Sequence, residues 1–430
     1  MKEKLLHFIW NYQLYKSESL QTTEGFPVFI EQKGQWNATD SGPDFFNSRI
    51  KIQNTIWVGN IEIHIKSSDW DLHQHSSDKA YSNVILHVVF EHDQEIEFLK
   101  KRNIPTLELG NYIPKEILFN YKALLETNRN FIPCEASLSQ VSKETFGFWL
   151  ERIFIQRLER KVSEIEQEFL QNNKNWEQLL FKNLAYTFGL KINAEAFQQW
   201  ANSFEFKILQ KIQNRPEWVA ALFFGQAGFW GIETENDYVK FLQKEFQFLQ
   251  TKYKLNPIDS SVFKFFRLRP PNFPTVRMAQ LAAVYAQYPN LFMFLTGSKS
   301  AAKIYPVFEE LKLHEFWKNH YVFDKESSRN VEKKITSELI ERIIINVIVP
   351  VKFAYAKSVG KAIDEELIDL LVSIPPEKNT VIDEFSKLGF QARNAFESQA
   401  LLELKKHYCD AKNCLNCGIG LQILKKCSII

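Results

Sequence analysis

The sequence contains no hydrophobic run long enough to cross a lipid bilayer. Its most apolar stretch, residues 343–351, has charged residues on both sides, and a membrane-spanning helix needs ~20 apolar residues. No secretory signal is evident either, because residues 1–12 hold neither a sustained apolar stretch nor a small-residue cleavage site. We therefore expect a cytoplasmic protein with no membrane partner.

Cysteine is scarce, with five residues in 430. Four of the five crowd near the carboxyl end, at Cys409, Cys414, Cys417 and Cys427. Disulfide bonds are rare in proteins that are not exported. The crowding therefore favours metal ligation over disulfide bonding.

A phosphate-binding P-loop is also absent, which argues against a nucleotide-driven motor within this chain. The net charge is only +2, so the overall charge neither favours nor opposes a nucleic-acid partner. Apolar material is plentiful, since 45% of the residues are hydrophobic and 37 are Phe. The chain is long enough for two or three domains, at roughly 100–200 residues per domain.

The first 135 residues predict a small α/β module. An amphipathic helix over 2–15 is followed by segments that are rich in β-branched residues or alternate in polarity, as strands do. The predicted strands cover residues 28–32, 49–52, 56–66, 84–90 and 106–109. A helix followed by several strands indicates an α/β or α+β domain, which we place at residues 1–135.

From Ser142 the hydrophobic period changes from that of strands to that of helices. Ser142 is a suitable N-cap, and apolar residues then recur at helical spacing. Pro350 lies inside an apolar helical pattern that it is expected to kink or end. We therefore predict a mostly α-helical domain over 136–408, followed by a cysteine-rich tail over 409–430.

The segment 61–66 carries the clearest chemical signal, because polar and apolar residues alternate strictly along it. Successive side chains of a strand point to opposite faces, so Glu62, His64 and Lys66 share one face. Asp44 lies at the start of the preceding strand region and is expected to approach Glu62 if the two strands pair. Two adjacent carboxylates repel each other, and a Mg²⁺ or Mn²⁺ ion relieves that repulsion.

This pattern resembles the PD-(D/E)XK phosphodiesterase superfamily, which includes restriction enzymes and recombination exonucleases. The resemblance rests on Asp44 after a Gly-Pro pair, a strand gap, and then Glu62-x-His64 with a further Lys. It implies a restriction-endonuclease-like α-β-β-β-α-β module in which Asp44 and Glu62 hold Mg²⁺ or Mn²⁺. It also implies a catalytic role for His64, which stands at the position of the superfamily's lysine, or for Lys66.

The whole chain resembles more closely a bacterial family known only as domain of unknown function 2851. The motifs that carry this resemblance are Gly42-Pro43-Asp44-Phe45, Glu62-Ile63-His64, Ser68-Asp69-Trp70, His73-Gln74-His75, Leu86-His87-Val88-Val89, Arg269-Pro270-Pro271-Asn272-Phe273-Pro274 and the terminal cysteines. Membership of such a family implies no activity.

The loop that follows residues 61–66 is rich in side chains that bind metals. It contains Asp69, Asp71, His73, His75 and Asp78. His73 and His75 are two residues apart, which suits joint ligation from an extended segment. If His87 on the next strand joins them, the sequence predicts a Zn²⁺ or iron site. A solvated polar loop whose histidines cap backbone groups is the alternative.

Residues 260–308 contain no Asp or Glu. They carry six basic residues, which are Lys264, Arg267, Arg269, Arg277, Lys299 and Lys303. A local excess of positive charge is typical of a surface that contacts phosphates, and interleaved phenylalanines suit stacking on unpaired bases. We therefore expect Lys264, Arg267, Arg269 and Arg277 to contact nucleic acid, unless the phenylalanines are core residues and the arginines pair with acids.

The pair Cys414-x-x-Cys417 is a good chelating unit for Zn²⁺ or an iron–sulfur cluster. Cys409 adds a third ligand, and the surrounding lysines favour thiolates. Some recombination nucleases join their two ends through an iron–sulfur cluster, and by that analogy the fourth ligand is Cys134, with Cys427 as the alternative. The spacing leaves Zn²⁺, an iron–sulfur cluster and free thiols all open.

Three hypotheses of function follow from these patterns. The first is a metal-dependent nuclease that acts on DNA or RNA, with Asp44 and Glu62 as metal ligands. The second is a non-catalytic factor with a degenerate nuclease fold, which binds nucleic acid or protein. The third is a metallohydrolase built on His73, His75 and His87.

Overall fold

The computed structural model describes residues 2–37, 41–126, 130–172 and 174–425. The chain divides into two compact units, of which the first joins Met1–Leu150 to Glu403–Ile430 and the second is Glu151–Leu402. The first unit thus ends later than the predicted boundary at residue 135. It also includes the segment that the cysteine crowding predicts to be a separate tail.

The first unit is built on a mixed sheet of six strands. The strands are β1 Val28–Gln32, β2 Gln35–Trp36, β3 Phe45–Ile52, β4 Thr55–Lys66, β5 Val84–Glu91 and β6 Thr106–Glu108. Their order is β1-β3-β4-β5-β6, with β2 also paired to β3. The pairs β1/β3, β2/β3 and β3/β4 are antiparallel, whereas β4/β5 and β5/β6 are parallel.

The α-helices of the first unit that precede its boundary at Leu150 are mostly short. They are α1 Glu3–Asn11, α2 Asp69–Leu72, α3 Glu97–Lys101, α4 Lys115–Glu126 and the first part of α5 Lys143–Gln171. Four 3-10 helices lie between them, at His75–Ser77, Lys79–Asn83, Leu109–Tyr112 and Glu135–Gln140. The predicted N-cap of α5 is present, because the Thr145 N–H donates to Ser142 Oγ at 3.2 Å.

The hairpin of β3 and β4 forms where the sequence predicts it. Ile52 pairs with Thr55 across the turn, and Gln53 in the turn has a φ of 52°. Tight hairpin turns need this left-handed conformation, because it matches the twist of the flanking strands. Both strands are longer than predicted, and β3 begins at Phe45, directly after Asp44.

One face of the sheet is apolar and packs against α1. Ile61 and Ile63 of β4 are fully buried, as the alternation predicts. They belong to one hydrophobic cluster with Leu5 and Phe8 of α1 and with Val88 of β5. This packing fixes α1 across β4, and it therefore determines which α1 residues reach the edge of β4.

The opposite face of β4 is polar and is nevertheless buried. Glu62 is 5% exposed and His64 is fully buried. The segment that covers them is residues 67–83. Its first part, residues 67–77, is expected from the sequence to be a loop, whereas it contains α2 and the 3-10 helix His75–Ser77; a second 3-10 helix, Lys79–Asn83, follows. Trp70 of α2 is fully buried and packs edge-on against His64, with ring centroids 6.3 Å apart.

The second unit is helical, as its periodicity predicts. Its α-helices are the rest of α5, α6 Trp176–Phe188, α7 Leu190–Asn202, α8 Phe206–Ile212, α9 Pro216–Gln226, α10 Asp237–Tyr253, α11 Pro274–Gln287, α12 Leu291–Gly297, α13 Ala301–Glu309, α14 Phe316–Asn319, α15 Ser337–Ile343, α16 Val349–Ser358, α17 Asp364–Val372, α18 Thr380–Lys387 and α19 Ala395–Glu403. Two 3-10 helices, Ser260–Val262 and Pro270–Asn272, precede α11.

Aromatic side chains fill the centre of this unit. The ring of Phe181 lies 5.7 Å from that of Trp200, 5.9 Å from that of Phe223 and 5.2 Å from that of Tyr285. Such tilted and edge-on pairs stabilise a core beyond the area that they bury. The high phenylalanine content of the chain is thus used largely for packing.

The expected disturbance at Pro350 takes the form of a widened turn. Between α15 and α16, residues Ile344–Ile348 form a π-helix, and Pro350 lies in the first turn of α16. Proline has no N–H, and its ring collides with the carbonyl one α-helical turn earlier. The wider π turn accommodates both effects, so the helical path continues past the proline.

The chain then returns to the first unit. Residues Leu404–Cys409 form a π-helix, Cys414–Asn416 form a 3-10 helix, and α20 spans Gly418–Lys425. α20 packs against α4 and against the 3-10 helix Glu135–Gln140. Among the described residues, no helix combines the length and the hydropathy needed to span a membrane.

The close approach of β4 to β5 leads to a testable prediction. A Cβ on Gly59 would lie 2.5 Å from both Asn83 O and Ile85 Cγ2, so Gly59→Ala should destabilise the fold by ~1–3 kcal/mol through overpacking. Gly147 in α5 has no heavy atom within 4 Å of such a Cβ. Gly147→Ala should therefore stabilise the protein by up to ~1 kcal/mol. Urea unfolding followed by circular dichroism measures both changes, and an unchanged midpoint for Gly59→Ala would contradict the packing.

Candidate metal centre

The polar face of β4 brings together side chains from two strands. The parallel register pairs Glu62 with His87 of β5. Because strand residues alternate between faces, His64 lies on the same side as Glu62. Nδ1 of His64 is 2.9 Å from Nε2 of His87. The register therefore fixes one carboxylate and two imidazoles in a buried row.

The covering segment adds two further imidazoles. Gln74, between His73 and His75, is in the left-handed conformation, with a φ of 59°. This turn directs His75 into the interior, where it is buried, while His73 stays exposed. Trp70 steadies the segment by donating its indole N–H to Ser76 Oγ at 3.1 Å.

The histidine nitrogens converge on one point. Nε2 of His64 is 3.1 Å from Nδ1 of His73 and 3.3 Å from Nε2 of His75. All three atoms lie within 4.8 Å of one another. With Zn–N bonds of about 2.0–2.1 Å, two ligand nitrogens of a tetrahedral site are about 3.3 Å apart. The observed separations match that geometry.

The two carboxylate oxygens of Glu62 have different partners. Oε1 lies 3.3 Å from Nε2 of His75 and 3.5 Å from Nε2 of His64. Oε2 accepts a hydrogen bond from the backbone N–H of Asp44 at 3.2 Å. Only one proton can sit on Nε2 of His64, and it can serve only one of the facing acceptors. A bound cation would serve all of them at once.

Asp44 lies beside this group, so the expected approach of Asp44 and Glu62 is present. Its Oδ2 accepts the backbone N–H of Ile63 at 2.9 Å and lies 3.2 Å from Nε2 of His7. Glu3 Oε1 is 3.7 Å from the same His7 nitrogen. Asp44 thus links β4 to α1 through one oxygen.

Sequence reasoning missed Glu3 and His7. A signal existed, because His7 lies between the apolar positions of an amphipathic helix and is four residues after Glu3, on the same side. Only the packing of α1 across β4 shows that this polar pair meets Asp44. The periodicity of α1 alone does not reveal it.

His87 contacts Nδ1 of His64, the ring nitrogen that is not directed at His73 and His75. If Nε2 of His64 binds a metal, its proton is on Nδ1 and is donated to Nε2 of His87. The proton of His87 is then on its own Nδ1, which is buried without a hydrogen-bond partner among the described residues. His87 is therefore a positioning residue, whereas the sequence pattern groups it with His73 and His75 as ligands.

Burial keeps His64 and His87 neutral, and only a neutral imidazole can bind a metal. Burial and the neighbouring histidines lower the pKa of His64 to about 2, and burial followed by the charge of His75 lowers that of His87 to about 3. For Glu62, burial and then the negative charge of Asp44 raise the pKa to about 9. Such a carboxylate gains its charge readily only when a cation is next to it.

Lys66 does not face this group. Its Nζ lies 3.9 Å from Asp93 Oδ2, in an exposed ion pair. Its backbone N–H donates to Asp69 Oδ2 at 2.9 Å. The last residue of β4 therefore anchors the covering segment, and its suggested catalytic role stays a prediction from the sequence.

The basic residues of 260–308 lie in the second unit and differ in exposure. Lys264, Arg267 and Arg269 are exposed, and Arg267 lies 5.2 Å from the ring of Phe266, which is 80% exposed. Arg277 is instead buried in α11 and donates to Gln280 Oε1 at 2.9 Å. Three of the four expected nucleic-acid contacts are thus at the surface, and Arg277 is structural.

The cysteines of the described chain fall in one unit. Cys134 precedes the 3-10 helix Glu135–Gln140, and Cys409, Cys414 and Cys417 lie in the returning segment. All four have free thiols. Cys427, the alternative fourth ligand, lies outside the described residues.

Metal affinity tests these assignments. With Zn²⁺ titrated calorimetrically into chelator-stripped protein, His75→Ala should weaken binding more than His87→Ala, because His75 belongs to the candidate ligand group and His87 does not. His87→Ala should cost ~10–100-fold, as loss of an orienting partner does. Lys66→Ala is the control and should bind as the wild type does, since its ammonium faces Asp93. Equal affinities for His75→Ala and the wild type would contradict the site.

Comparisons with known proteins place the chain in a family but give it no function. Neither the curated proteins nor the solved structures contain a match to it. One family profile, described as protein of unknown function (DUF2851), matches residues 3–380. The match includes all the side chains of the histidine centre and ends before Cys409. Because it covers most of the sequence, the chain belongs to the family of proteins of unknown function DUF2851.

Proposed function

We propose that this protein is a metal-dependent hydrolase that cleaves phosphodiester bonds in DNA or RNA. One observation carries the proposal, namely the convergence of Nε2 of His64, Nδ1 of His73 and Nε2 of His75 within 4.8 Å. The carboxylate of Glu62 lies directly beside them. Imidazoles next to a buried carboxylate form a typical set of metal ligands.

The ligand types favour a transition metal over Mg²⁺. Imidazole nitrogen is a preferred ligand of Zn²⁺ and related ions, whereas Mg²⁺ prefers oxygen. Mn²⁺ accepts a mixed set and stays a candidate. When bound, such an ion supplies Lewis acidity, which polarises a phosphoryl oxygen and acidifies a water molecule.

The partly open position of His73 supports a catalytic site over a purely structural one. Structural zinc sites are closed by their four protein ligands, whereas catalytic sites keep one position for water or substrate. Glu62, His64 and His75 are buried, and His73 is exposed. Substrate can therefore reach the centre from the side of His73.

His7 and Asp44 are suited to moving a proton at this centre. Burial lowers the pKa of His7, but the hydrogen bond and the charge of Asp44 outweigh it, and the net pKa is raised. His7 is thus protonated more readily at neutral pH than an ordinary histidine, and Asp44 stabilises the charged form. In hydrolysis His7 would donate a proton to the leaving oxygen.

The finer fold assignment, a restriction-endonuclease-like module, rests on the order of elements. In chain order the first unit begins with α1, β1, the two-residue strand β2, β3, β4, the short helices of residues 67–83, and β5. With β2 set aside as a short addition, this order supports the α-β-β-β-α-β module that the PD-(D/E)XK resemblance implies. Asp44 directly precedes the second long strand, and Glu62 lies on the third.

Nucleic acid as the substrate is supported by the exposed group Lys264, Phe266, Arg267 and Arg269. Cationic side chains neutralise phosphates, and an exposed aromatic ring stacks on unpaired bases. A phosphodiester substrate also agrees with the acid–base pair beside a metal centre.

Cleavage assays test the proposal directly. Labelled single- and double-stranded DNA and RNA are incubated with the protein and Zn²⁺, Mn²⁺, Mg²⁺ or EDTA. We expect cleavage with a transition metal, and we expect Glu62→Gln to reduce it to the level in EDTA. Lys79→Ala, an exposed change in the covering segment, is the matched control and should cleave normally. Equal cleavage by Glu62→Gln and the wild type would overturn the proposal.

The role of His7 gives a separate prediction. His7→Ala should lower kcat by ~10²–10⁴-fold, the usual contribution of acid–base catalysis. Zn²⁺ affinity should be retained, because His7 is outside the ligand group. Loss of metal binding in this variant would instead make His7 part of the metal site.

Binding assays distinguish the nuclease from a non-catalytic factor. Arg267→Glu with Arg269→Glu should weaken nucleic-acid binding across all sequences. The slope of log affinity against log salt should fall by about one for each phosphate that the variant no longer binds. Lys361→Glu, an exposed charge reversal in the same unit, should have little effect. Folded, metal-loaded protein that binds nucleic acid through these arginines without cleaving any substrate would favour the binding factor.

A further inference from the structure

Four cysteines from two distant parts of the chain come together in the first unit. Cys414 belongs to its main hydrophobic cluster, and Cys134 packs against that cluster. Cys409, Cys414 and Cys417 are buried, and Cys134 is half-buried. The histidine centre uses none of these residues.

The packing of the returning segment brings its cysteines towards Cys134, because α20 contacts the 3-10 helix Glu135–Gln140, which begins directly after Cys134. The thiols are close enough for their charges to influence one another. Burial raises the pKa of Cys134 to about 12, and the charges of Cys417 and Cys414 contribute further. Burial likewise raises the pKa of Cys409, with contributions from the other three thiols. Four thiolates can therefore share this space only beside a compensating positive charge.

The surrounding backbone and an indole supply donors for a thiolate. Burial raises the pKa of Cys417, whereas hydrogen bonding from the backbone N–H groups of Gly420 and Ile419, at the start of α20, lowers it, and the nearby indole of Trp149 acts in the same direction. Hydrogen bonds of this kind stabilise the charged form of sulfur. They also adjust the reduction potential of iron–sulfur clusters.

Two glycines allow the first turn of α20 to lie close to Cys414 and Trp149. A Cβ on Gly420 would lie 2.2 Å from Cys414 O, and one on Gly418 would lie 2.8 Å from Trp149 Cε3. Any larger side chain would displace the backbone from the sulfurs. Glycine at these two positions therefore lets the start of α20 lie directly against Cys414 and Trp149.

Lysines balance the negative charge of this group. The charge of Lys405 lowers the pKa of Cys409, and that of Lys412 lowers the pKa of Cys414, each against the larger effect of burial. Lys412 also donates to Leu125 O, near the end of α4, at 2.7 Å. The same side chain thus favours thiolates and holds the returning segment in place.

The spacing of the sulfurs distinguishes between metals. Zn–S bonds of about 2.3 Å place the thiolates of a tetrahedral site about 3.8 Å apart. In the described part of the chain, only His64, His73 and His75 form a set of three or more ligand atoms within 4.8 Å of one another. No three of the four described cysteine sulfurs therefore lie within 4.8 Å of one another. An iron–sulfur cluster fits a wider set, because several irons and sulfide ions lie between its thiolates.

We propose that Cys134, Cys409, Cys414 and Cys417 bind an iron–sulfur cluster. The cluster ties the returning segment to the chain that follows α4. Its ligands come from both sides of Glu151–Leu402 in the sequence, so it holds the two parts of the first unit together. This site is separate from the histidine centre and does not depend on hydrolytic activity.

Metal analysis of the full chain, purified without oxygen, tests the proposal first. We expect iron and acid-labile sulfide in equal amounts, with visible absorption that bleaches on reduction. Zinc at the cysteines with no iron would overturn the iron–sulfur assignment. Absence of both metals after reconstitution with iron and sulfide would overturn the site itself.

Variants test the ligand set. Cys134→Ser and Cys417→Ser should lose the cluster, whereas Cys427→Ala, the matched control, should keep it. The reverse pattern, with the cluster lost from Cys427→Ala and kept in Cys134→Ser, would contradict the proposed fourth ligand. Circular dichroism shows whether each variant is folded.

A conservative change provides a readout that does not depend on losing a ligand. Trp149→Phe removes an indole N–H near the sulfur of Cys417. The cluster should remain, and its reduction potential should fall, because the more negatively charged reduced form loses a nearby N–H dipole. An unchanged potential would contradict an interaction between Trp149 and the cluster.

Discussion

The parallel pairing of β4 with β5 is the constraint on which the rest of the first unit depends. Along this pairing, residues 61–64 of β4 are buried on both faces, although one face carries Glu62 and His64. Buried charged and polar groups cost free energy unless they find partners. The covering segment provides His73 and His75 as polar partners beside the apolar ring of Trp70, and a divalent cation would stabilise the buried carboxylate further.

The sequence predicts which side chains of β4 share a face, but it does not predict which segments cover those faces. The alternation in residues 61–66 predicts which side chains of β4 share a face, and the turn at Gln53 predicts the hairpin that brings Asp44 near Glu62. Periodicity cannot show what covers each face, since that depends on contacts distant in sequence. For this reason His7 was missed, and the polar face of β4 was not recognised as buried.

The same limit explains why the sequence alone does not identify the complete set of cysteine ligands. Their crowding at one end of the sequence indicates metal chemistry, but spacing cannot tell which distant residue completes the set. In the structure, α20 packs beside the segment that follows α4 and brings Cys134 to the others. The two candidate centres also differ in donor type, because thiolates suit soft ions and imidazoles suit borderline ones. The donor types therefore favour different occupants at the two proposed centres.

The exposure of His73 has a consequence for how its centre acquires an ion. The other three donors lie on β4 and in the buried turn at His75, away from solvent. An ion that binds here would therefore enter and leave from the solvent side, past His73. Occupancy of this centre would then follow the supply of free metal in the surroundings.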